Sequence, residues 1–255
     1  MADILFELSE IHKHGKPFVL CIVTETFGST PRKEGARMIV FDDGSSKGTI
    51  GGGSVEFQAI NDAIKILETR KPIKKKFELE DDLQMHCGGN MEIYFEPFYP
   101  DLKLYVFGAG HVGREVGKYA KDFGFQVVFV DHRKDIFKEF ENSYATCIAK
   151  DYFESLNDIR FDKRDFVVIT TPKHEFDENL IGVIGKESLA YLGMIGSKRK
   201  VNEARKRLLE NNILTEDQLD FVDMPIGIPF NAETPAEIAI SIVAKLIDTK
   251  NKLSL

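Results

Sequence analysis

Residues 104–113 read LYVFGAGHVG, an apolar run that closes on Gly108, Gly110 and Gly113 at the spacing G-x-G-x-x-G. The stretch before the glycines has the aromatic and β-branched content of a strand, and Val112, Val116, Ala120 and Phe123 recur after them at helical spacing. A strand that turns on glycines into a helix is the context a dinucleotide fingerprint requires. The first glycine makes the turn, the second lets phosphate approach the backbone, the third lets helix and strand pack, and the helix N-terminus favours negative charge. Asp131 ends the next apolar run, FQVVFVD, twenty-three positions after Gly108, where a carboxylate can accept from ribose hydroxyls, and Arg133 beside it suits a 2′-phosphate. The same loop also reads as a compact strand–helix joint that binds no nucleotide. His111 reads either as an exposed structural residue or as a catalytic one.

Working outward toward the C-terminus, strands are expected at FQVVFVD, ATCIA, FVVITT and AYLGMIG, with a helix in each connection except that from ATCIA to FVVITT, and a final pair of helices. That alternation predicts a parallel sheet covered on both faces. Toward the N-terminus, Ile4, Leu5, Leu8 and Ile11 have helical spacing. FVLCIVTET from Phe18 and RMIVF from Arg37 read as strands joined by the polar loop FGSTPRKEGA. Gly51, Gly52 and Gly53 lead into a helix carrying Val55, Ala59, Ala63, Ile66 and Leu67 on one side, and KKKFELE and MEIYFEP are strands flanking DDLQMHCGGN. EPFYPDL at 96–102 reads as a linker. The expected organisation is therefore α/β throughout: a small N-terminal α/β domain over 1–98 and a Rossmann-like parallel-sheet domain over 99–255.

A formal net charge of -7 spread over mixed charges argues against a nucleic-acid surface. Three widely spaced cysteines, Cys21, Cys87 and Cys147, do not form a disulfide framework and fit a reducing cytoplasm. No apolar stretch is long enough for a bilayer, and the first residues lack a signal-peptide pattern, so no membrane association is expected. P-loop, G-x-S-x-G and H-E-x-x-H motifs are missing, which removes the usual NTPase, hydrolase and metalloprotease chemistry.

A second glycine joint, GMIGSKRK at 193–200, places Ser197 to cap a helix and Lys198, Arg199 and Lys200 to hold an anion; a capped helix with a solvated basic face accounts for it as well. Thr234-Pro235-Ala236-Glu237 reads as a capping box. Cys87, between His86 and the glycines Gly88 and Gly89, is a sterically accessible thiol suited to soft-metal ligation or sulfur transfer, although residue type alone favours an inert cysteine. Cys21 and Cys147 sit within apolar strands and read as inert.

Taken in order, GSTPRKEGARMIV (28–40), GTIGGGSVE (48–56), CGGNMEIYFEP (87–97), VFGAGHVG (106–113), VDHR (130–133), YLGMIGSKRK (191–200) and PIGIPFNAETPAEIAISIVAKL (225–246) closely resemble the XdhC/CoxI family. The resemblance implies an accessory protein rather than a stand-alone enzyme. Such a protein binds the molybdopterin form of the molybdenum cofactor, supports its sulfuration, and delivers it to a xanthine dehydrogenase-type molybdenum hydroxylase. It also implies a cysteine desulfurase as sulfur source and leaves room for a homodimer. The family's elements fall on Gly28, Pro31, Arg32, Gly35, Arg37, Gly52, Gly53, Glu56, Cys87, Gly88 and Gly89, with Cys87 as the metal or sulfur ligand. In the second domain the cofactor-binding set is Gly108, Gly110, His111, Gly113, Asp131, His174, Asp177, Ser197 and Arg199. Arg32 and Arg37 supply fixed positive charge for an anion, or pin their loop through a carboxylate. Two departures stand out: Ser54 where relatives carry cysteine, and Thr171 where they carry the first of two histidines. The alternative is an NAD(P)-dependent oxidoreductase or a nucleotide-sensing regulator using the glycine loop, although no hydride-transfer constellation accompanies that loop.

Overall fold

The computed structural model describes residues 16–79, 89–138 and 143–252, and the chain divides into two compact units, Met1–Pro100 and Asp101–Leu255. The helical spacing at 4–11 lies outside the described residues.

In the first unit, β1 (Phe18–Phe27), β2 (Arg37–Phe41), β3 (Ser46–Gly48), β4 (Ile73–Glu78) and β5 (Asn90–Phe98) form one antiparallel sheet in the order β3-β2-β1-β5-β4. Helix α1 (Gly53–Thr69) buries Val55, Ala59, Ala63 and Ile66 against it, and these pack with Val19, Cys21, Val23, Met38, Val40, Ile93 and Phe95. Period two in the strands and 3.6 in the helix put these apolar side chains on one shared face. The opposite face carries a smaller cluster of Phe18, Leu20 and Ile39, with the Phe18 and Phe98 rings stacked at 5.0 Å. Ser46–Gly48 is a short edge strand whose three residues are all exposed, so hydrophobic periodicity carries no trace of it.

In the second unit, β6 (Leu102–Phe107), β7 (Phe125–Val130), β8 (Ala145–Ile148), β9 (Phe166–Ile169) and β10 (Tyr191–Met194) form a parallel sheet ordered β10-β9-β6-β7-β8. The chain moves outward in one direction from β6 through β8, then returns to start β9 on the other side of β6. The carboxyl ends of β6 and β9 therefore flank a topological switch point. Leu104 and Val106 face one layer with α2 (His111–Ala120) and α7 (Pro235–Lys252). Tyr105 and Phe107 face the other, made of α3 (Tyr152–Leu156), α4 (His174–Ile184), α5 (Lys198–Glu210) and α6 (Glu216–Phe221).

Three details differ from the sequence reading. Helix α2 ends at Ala120 and tightens into a 3-10 turn, so Phe123 leaves the apolar stripe and is exposed. The connection from β8 to β9 carries the short helix α3, too brief to show a helical period; Asp151 starts it by accepting from the Phe153 and Glu154 N–H groups. The C-terminal segment holds three helices, because Thr215 and Gln218 make a capping box that starts α6. The Thr234–Glu237 box starts α7: Glu237 accepts from the Thr234 N–H at 3.0 Å, and its own N–H donates to the Thr234 hydroxyl.

Candidate functional site

Each unit gathers its own set of candidate residues. In the first, three loops meet. A Cβ on Gly51 would lie 2.6 Å from Pro31, and one on Gly89 would lie 2.4 Å from the Ser29 carbonyl oxygen and 2.5 Å from that of Phe27. Only glycine at 51 and 89 permits these approaches, so the Arg32 loop, the Gly51–Gly53 turn and the end of the Cys87 segment share one place. The Leu79 N–H donates to the Gly89 carbonyl and fixes that end. Cys87 and Gly88 themselves lie outside the described residues.

Gly51, Gly52 and Gly53 all have positive φ, and a Cβ on Gly52 would meet nothing within 4 Å, leaving open space above the start of α1. Glu56 shapes this turn. Its Oε2 accepts from the Thr49 hydroxyl (2.6 Å), the Gly52 N–H (2.9 Å) and the Ile50 N–H (3.2 Å). Burial raises its carboxyl, and these donors together outweigh burial and hold it below the usual range. Glu56 therefore organises the glycine turn. Arg37 adjoins it, its carbonyl accepting from the Thr49 N–H at 3.1 Å. The Arg32 and Arg37 side chains are exposed, and among the described residues neither meets a carboxylate. The Cys21 thiol, by contrast, is pushed up to about 12 by burial and the Asp62 carboxylate and stays protonated.

In the second unit the three glycines of the loop differ in what surrounds them. Gly108 has φ +100, and a Cβ there would sit 2.4 Å from the Thr170 carbonyl oxygen; one on Gly113 would sit 2.0 Å from that of Gly108. Around Gly110 the nearest heavy atom, on the Arg133 guanidinium, is 4.0 Å away. Backbone packs tightly against the first and third glycines, and space remains at the second, where the α2 N-terminus has no side-chain cap.

Asp131 is fully buried and its acceptor positions are filled from within the chain. Oδ2 accepts from the Ala109 N–H (2.8 Å) and an Arg133 terminal nitrogen (2.8 Å), while Oδ1 accepts from the Arg133 N–H (3.0 Å) and Nε (2.9 Å). Burial raises the carboxyl, and the Arg133 and Ala109 donors more than reverse this, holding it below the usual carboxylate range. As placed, Asp131 pins the glycine loop to Arg133, and a ribose contact requires one of these donors to give way.

His174 and Asp177 are brought together at the carboxyl edge. Asp177, 1% exposed, accepts from the Thr171 hydroxyl (2.6 Å) and N–H (3.0 Å), and its Oδ2 lies 3.5 Å from His174 Nδ1. Burial pushes the Asp177 carboxyl above its usual range against the pull of those donors. Thr171, the departure from the two-histidine pattern, is thus what fixes Asp177. Gly196 lies beside the ring, a Cβ there falling 3.6 Å from His174 Cε1, so the loops after β9 and β10 meet at this histidine. Ser197 caps α5 by accepting from the Lys200 N–H, and Arg199 is a solvated partner of Glu203. His111 is exposed and faces a recess of about 980 Å³ beside α2, whose lining Lys118 and Lys121 already pair with Glu115 and Asp122.

Sequence reasoning missed Tyr152, which is buried at this edge with its ring 5.2 Å from His132 and 5.6 Å from Phe176. The available signal was an Asp-aromatic pair, Asp151-Tyr152, able to start a helix in the crossover between two strands. Among the described residues no group of three His, Cys, Asp or Glu side chains is placed to share a metal ion, and no helix there is long and apolar enough to cross a membrane.

Comparison with known proteins follows the same division. Residues 104–246 match the XdhC Rossmann domain, and residues 11–78 match the XdhC and CoxI family. "Uncharacterized protein YqeB" of Escherichia coli strain K12 is 32% identical over 258 residues, covering 98% of this chain and 46% of that protein. A protein of Bacillus subtilis strain 168 named as a probable xanthine dehydrogenase subunit is 26% identical over 171 residues, covering 67% of this chain and 49% of that protein. The chain therefore spans about half the length of the curated relatives it matches. A crystal structure of a xanthine dehydrogenase from Bacillus halodurans superposes with a TM-score of 0.54 at 24% identity, over 99% of this chain and 96% of that one, a likeness of fold. With the Rossmann match alone covering more than half of its length, and the resemblance of its motifs running in the same order, the chain belongs to the XdhC and CoxI family.

Proposed function

We propose that this protein is an accessory factor for a xanthine dehydrogenase-type molybdenum hydroxylase, binding the molybdenum cofactor and supporting its sulfuration and insertion. The observation that carries the reading is the meeting of the Arg32 loop, the Gly51–Gly53 turn and Gly89 in the first unit, with two exposed arginines that no described carboxylate neutralises. The donor set fits the group. Molybdopterin brings a phosphate and a dithiolene, both anionic; Arg32 and Arg37 offer planar cationic donors, and Gly52 leaves open space beside the turn. Cys87, one residue before the Gly88-Gly89 pair, is the soft ligand or sulfur carrier of this proposal. When bound, the cofactor supplies a redox-active metal that the client enzyme uses. The chain's own residues hold its anionic groups, and Glu56 keeps the glycine turn in shape. A cysteine desulfurase is the expected sulfur donor.

Purified protein titrated with isolated molybdenum cofactor tests the proposal. The Arg32→Ala/Arg37→Ala variant should bind at least about tenfold more weakly, since hydrogen bonds to charged groups contribute roughly 1.5–3 kcal/mol each. Equal affinity removes the arginines from the site. Co-expression of the client with Cys87→Ser should yield enzyme lacking cyanide-labile sulfur, because oxygen cannot form a persulfide; a fully sulfurated client eliminates the cysteine role.

A second reading is favoured by the space at Gly110 between the tightly packed Gly108 and Gly113: the Rossmann unit takes a phosphorylated ligand, NAD(P) included. Parallel titrations with NAD and NADP separate an accessory factor from a nucleotide sensor or a dehydrogenase.

A further inference from the structure

In a Rossmann unit that binds NAD, the carboxylate at the end of the second strand is open and accepts from the ribose hydroxyls. Asp131 occupies that place at the end of β7, and its side chain is 0% exposed. Each of its oxygens is engaged within the chain. Oδ2 accepts from the Ala109 N–H and an Arg133 terminal nitrogen, and Oδ1 accepts from the Arg133 N–H and Nε. The acceptor that a ribose diol requires is thus spent on the fold. A diol reaching it strips a backbone N–H or the guanidinium of its partner, and a buried group left without its hydrogen bond opposes binding.

What a ligand meets in its place is Arg133. The Nε edge of the guanidinium holds Asp131 in a two-point pair, and the side chain is 38% exposed. One terminal nitrogen lies 4.0 Å from the Cβ position of Gly110, at the rim of the space that the α2 N-terminus faces. The segment that carries Arg133 is tied to the glycine loop at both ends. Asp131 bonds the Ala109 N–H, while Arg114 donates from Nε to the Ala109 carbonyl (3.0 Å) and from a terminal nitrogen to the Ile136 carbonyl (3.2 Å). The Ile136 N–H in turn donates to the Arg133 carbonyl at 3.1 Å. A cation fixed in this way before a ligand arrives has little freedom left to lose on binding.

We propose that the glycine loop selects a nucleotide carrying a phosphate monoester on its ribose, NADP rather than NAD, and that Arg133 is the residue that determines the choice. The proposal rests on the reading of the glycine loop as a site for a phosphorylated ligand, and it names which such ligand is taken. A phosphate monoester matches the guanidinium both in charge and in the pairing of planar donors with oxygens. A bare diol offers hydroxyl hydrogens to a group that has only donors. Asp131 is a positioning residue: it holds the Nε edge and so aims the guanidinium, without touching the ligand.

Calorimetric titration of the full chain with NADP and NAD, and with their fragments 2′,5′-ADP and 5′-AMP, tests the choice. Wild-type protein should bind the 2′-phosphorylated member of each pair at least about tenfold more tightly, the contribution of a charge-assisted pair. Arg133→Ala should have two opposite effects. NADP affinity should fall about tenfold or more, while NAD affinity stays equal or rises because Asp131 is uncovered, so that the preference disappears. Arg133→Gln, whose amide can still donate to Asp131, removes the charge with less disturbance of the loop; it should also lose the preference, with a melting midpoint closer to that of wild type. A purely structural role for Arg133 lowers both affinities together, and that result overturns the assignment. Wild-type protein that binds NAD as tightly as NADP overturns the selectivity and leaves the phosphate site standing. Failure to bind any of the four compounds overturns the reading of the glycine loop and the selectivity with it.

Discussion

Replacing Asp131 by asparagine keeps the side-chain shape and removes the charge, which isolates what the carboxylate does. The amide oxygen can still accept from the Ala109 N–H, but the amide nitrogen then points donors at the Arg133 N–H and Nε, which now bond to Oδ1. The guanidinium is 38% exposed and can turn to water, so its lost ion pair counts for only about 0–1 kcal/mol. The Arg133 backbone N–H is less able to escape, and an unsatisfied donor of this kind costs roughly 1–3 kcal/mol. The expected loss is therefore about 2 kcal/mol, or roughly 4–8 °C in the melting of a unit of this size. Its pH dependence has a definite sign. The folded carboxyl lies below the ordinary value, so Asp131 stabilises the fold fully above pH ~4 and the contribution disappears as pH falls through the folded value. The difference between wild type and variant should follow that course in thermal melts at pH 7, 5 and 3. A variant as stable as wild type at pH 7, or a difference that does not shrink in acid, refutes the claim that Asp131 pins the loop through its charge.

Gly113→Ala puts a methyl group 2.0 Å from the Gly108 carbonyl oxygen, a backbone clash that should cost at least about 1–3 kcal/mol as overpacking does; a melt within about 1 °C of wild type contradicts the packing role. Asp177→Asn retains an oxygen for the Thr171 hydroxyl and N–H and removes a buried charge. Because burial raises the folded Asp177 carboxyl, the folded state binds the proton more tightly and the ionised group costs stability as pH rises past ~4. The variant should match or exceed wild-type stability at pH 7 and lose any advantage below pH ~4, and a loss above about 1 kcal/mol at pH 7 contradicts this. Cys21, held protonated by burial, should resist iodoacetamide in the native protein at pH 8 and react after unfolding; mass spectrometry of the Cys21 peptide decides it.

The alternation of apolar runs and the glycine spacing were sufficient, by themselves, to place β6, the Gly108–Gly113 turn and α2, because these depend on neighbours within a few residues in the chain. The faces of α1 were legible for the same reason, since a helix records its burial every three or four residues. Strand order was not. That β1 lies between β2 and β5, and β6 between β7 and β9, follows from pairings across tens of residues that local periodicity does not encode. The polar residues divide along the same line. Glu56 and Asp131 carry in the sequence the appearance of ligand acceptors, and only the folded chain shows their lone pairs taken by Thr49, Ile50 and Gly52 in one case, and by Ala109 and Arg133 in the other. Tyr152 is the converse, an ordinary aromatic residue in the sequence whose ring the fold buries against Phe107, His132 and Phe176 at the carboxyl edge of the sheet. Residue type determines which hydrogen bonds a side chain can make. Competition among donors brought together from distant parts of the chain determines which it does make, and that competition exists only in the tertiary structure.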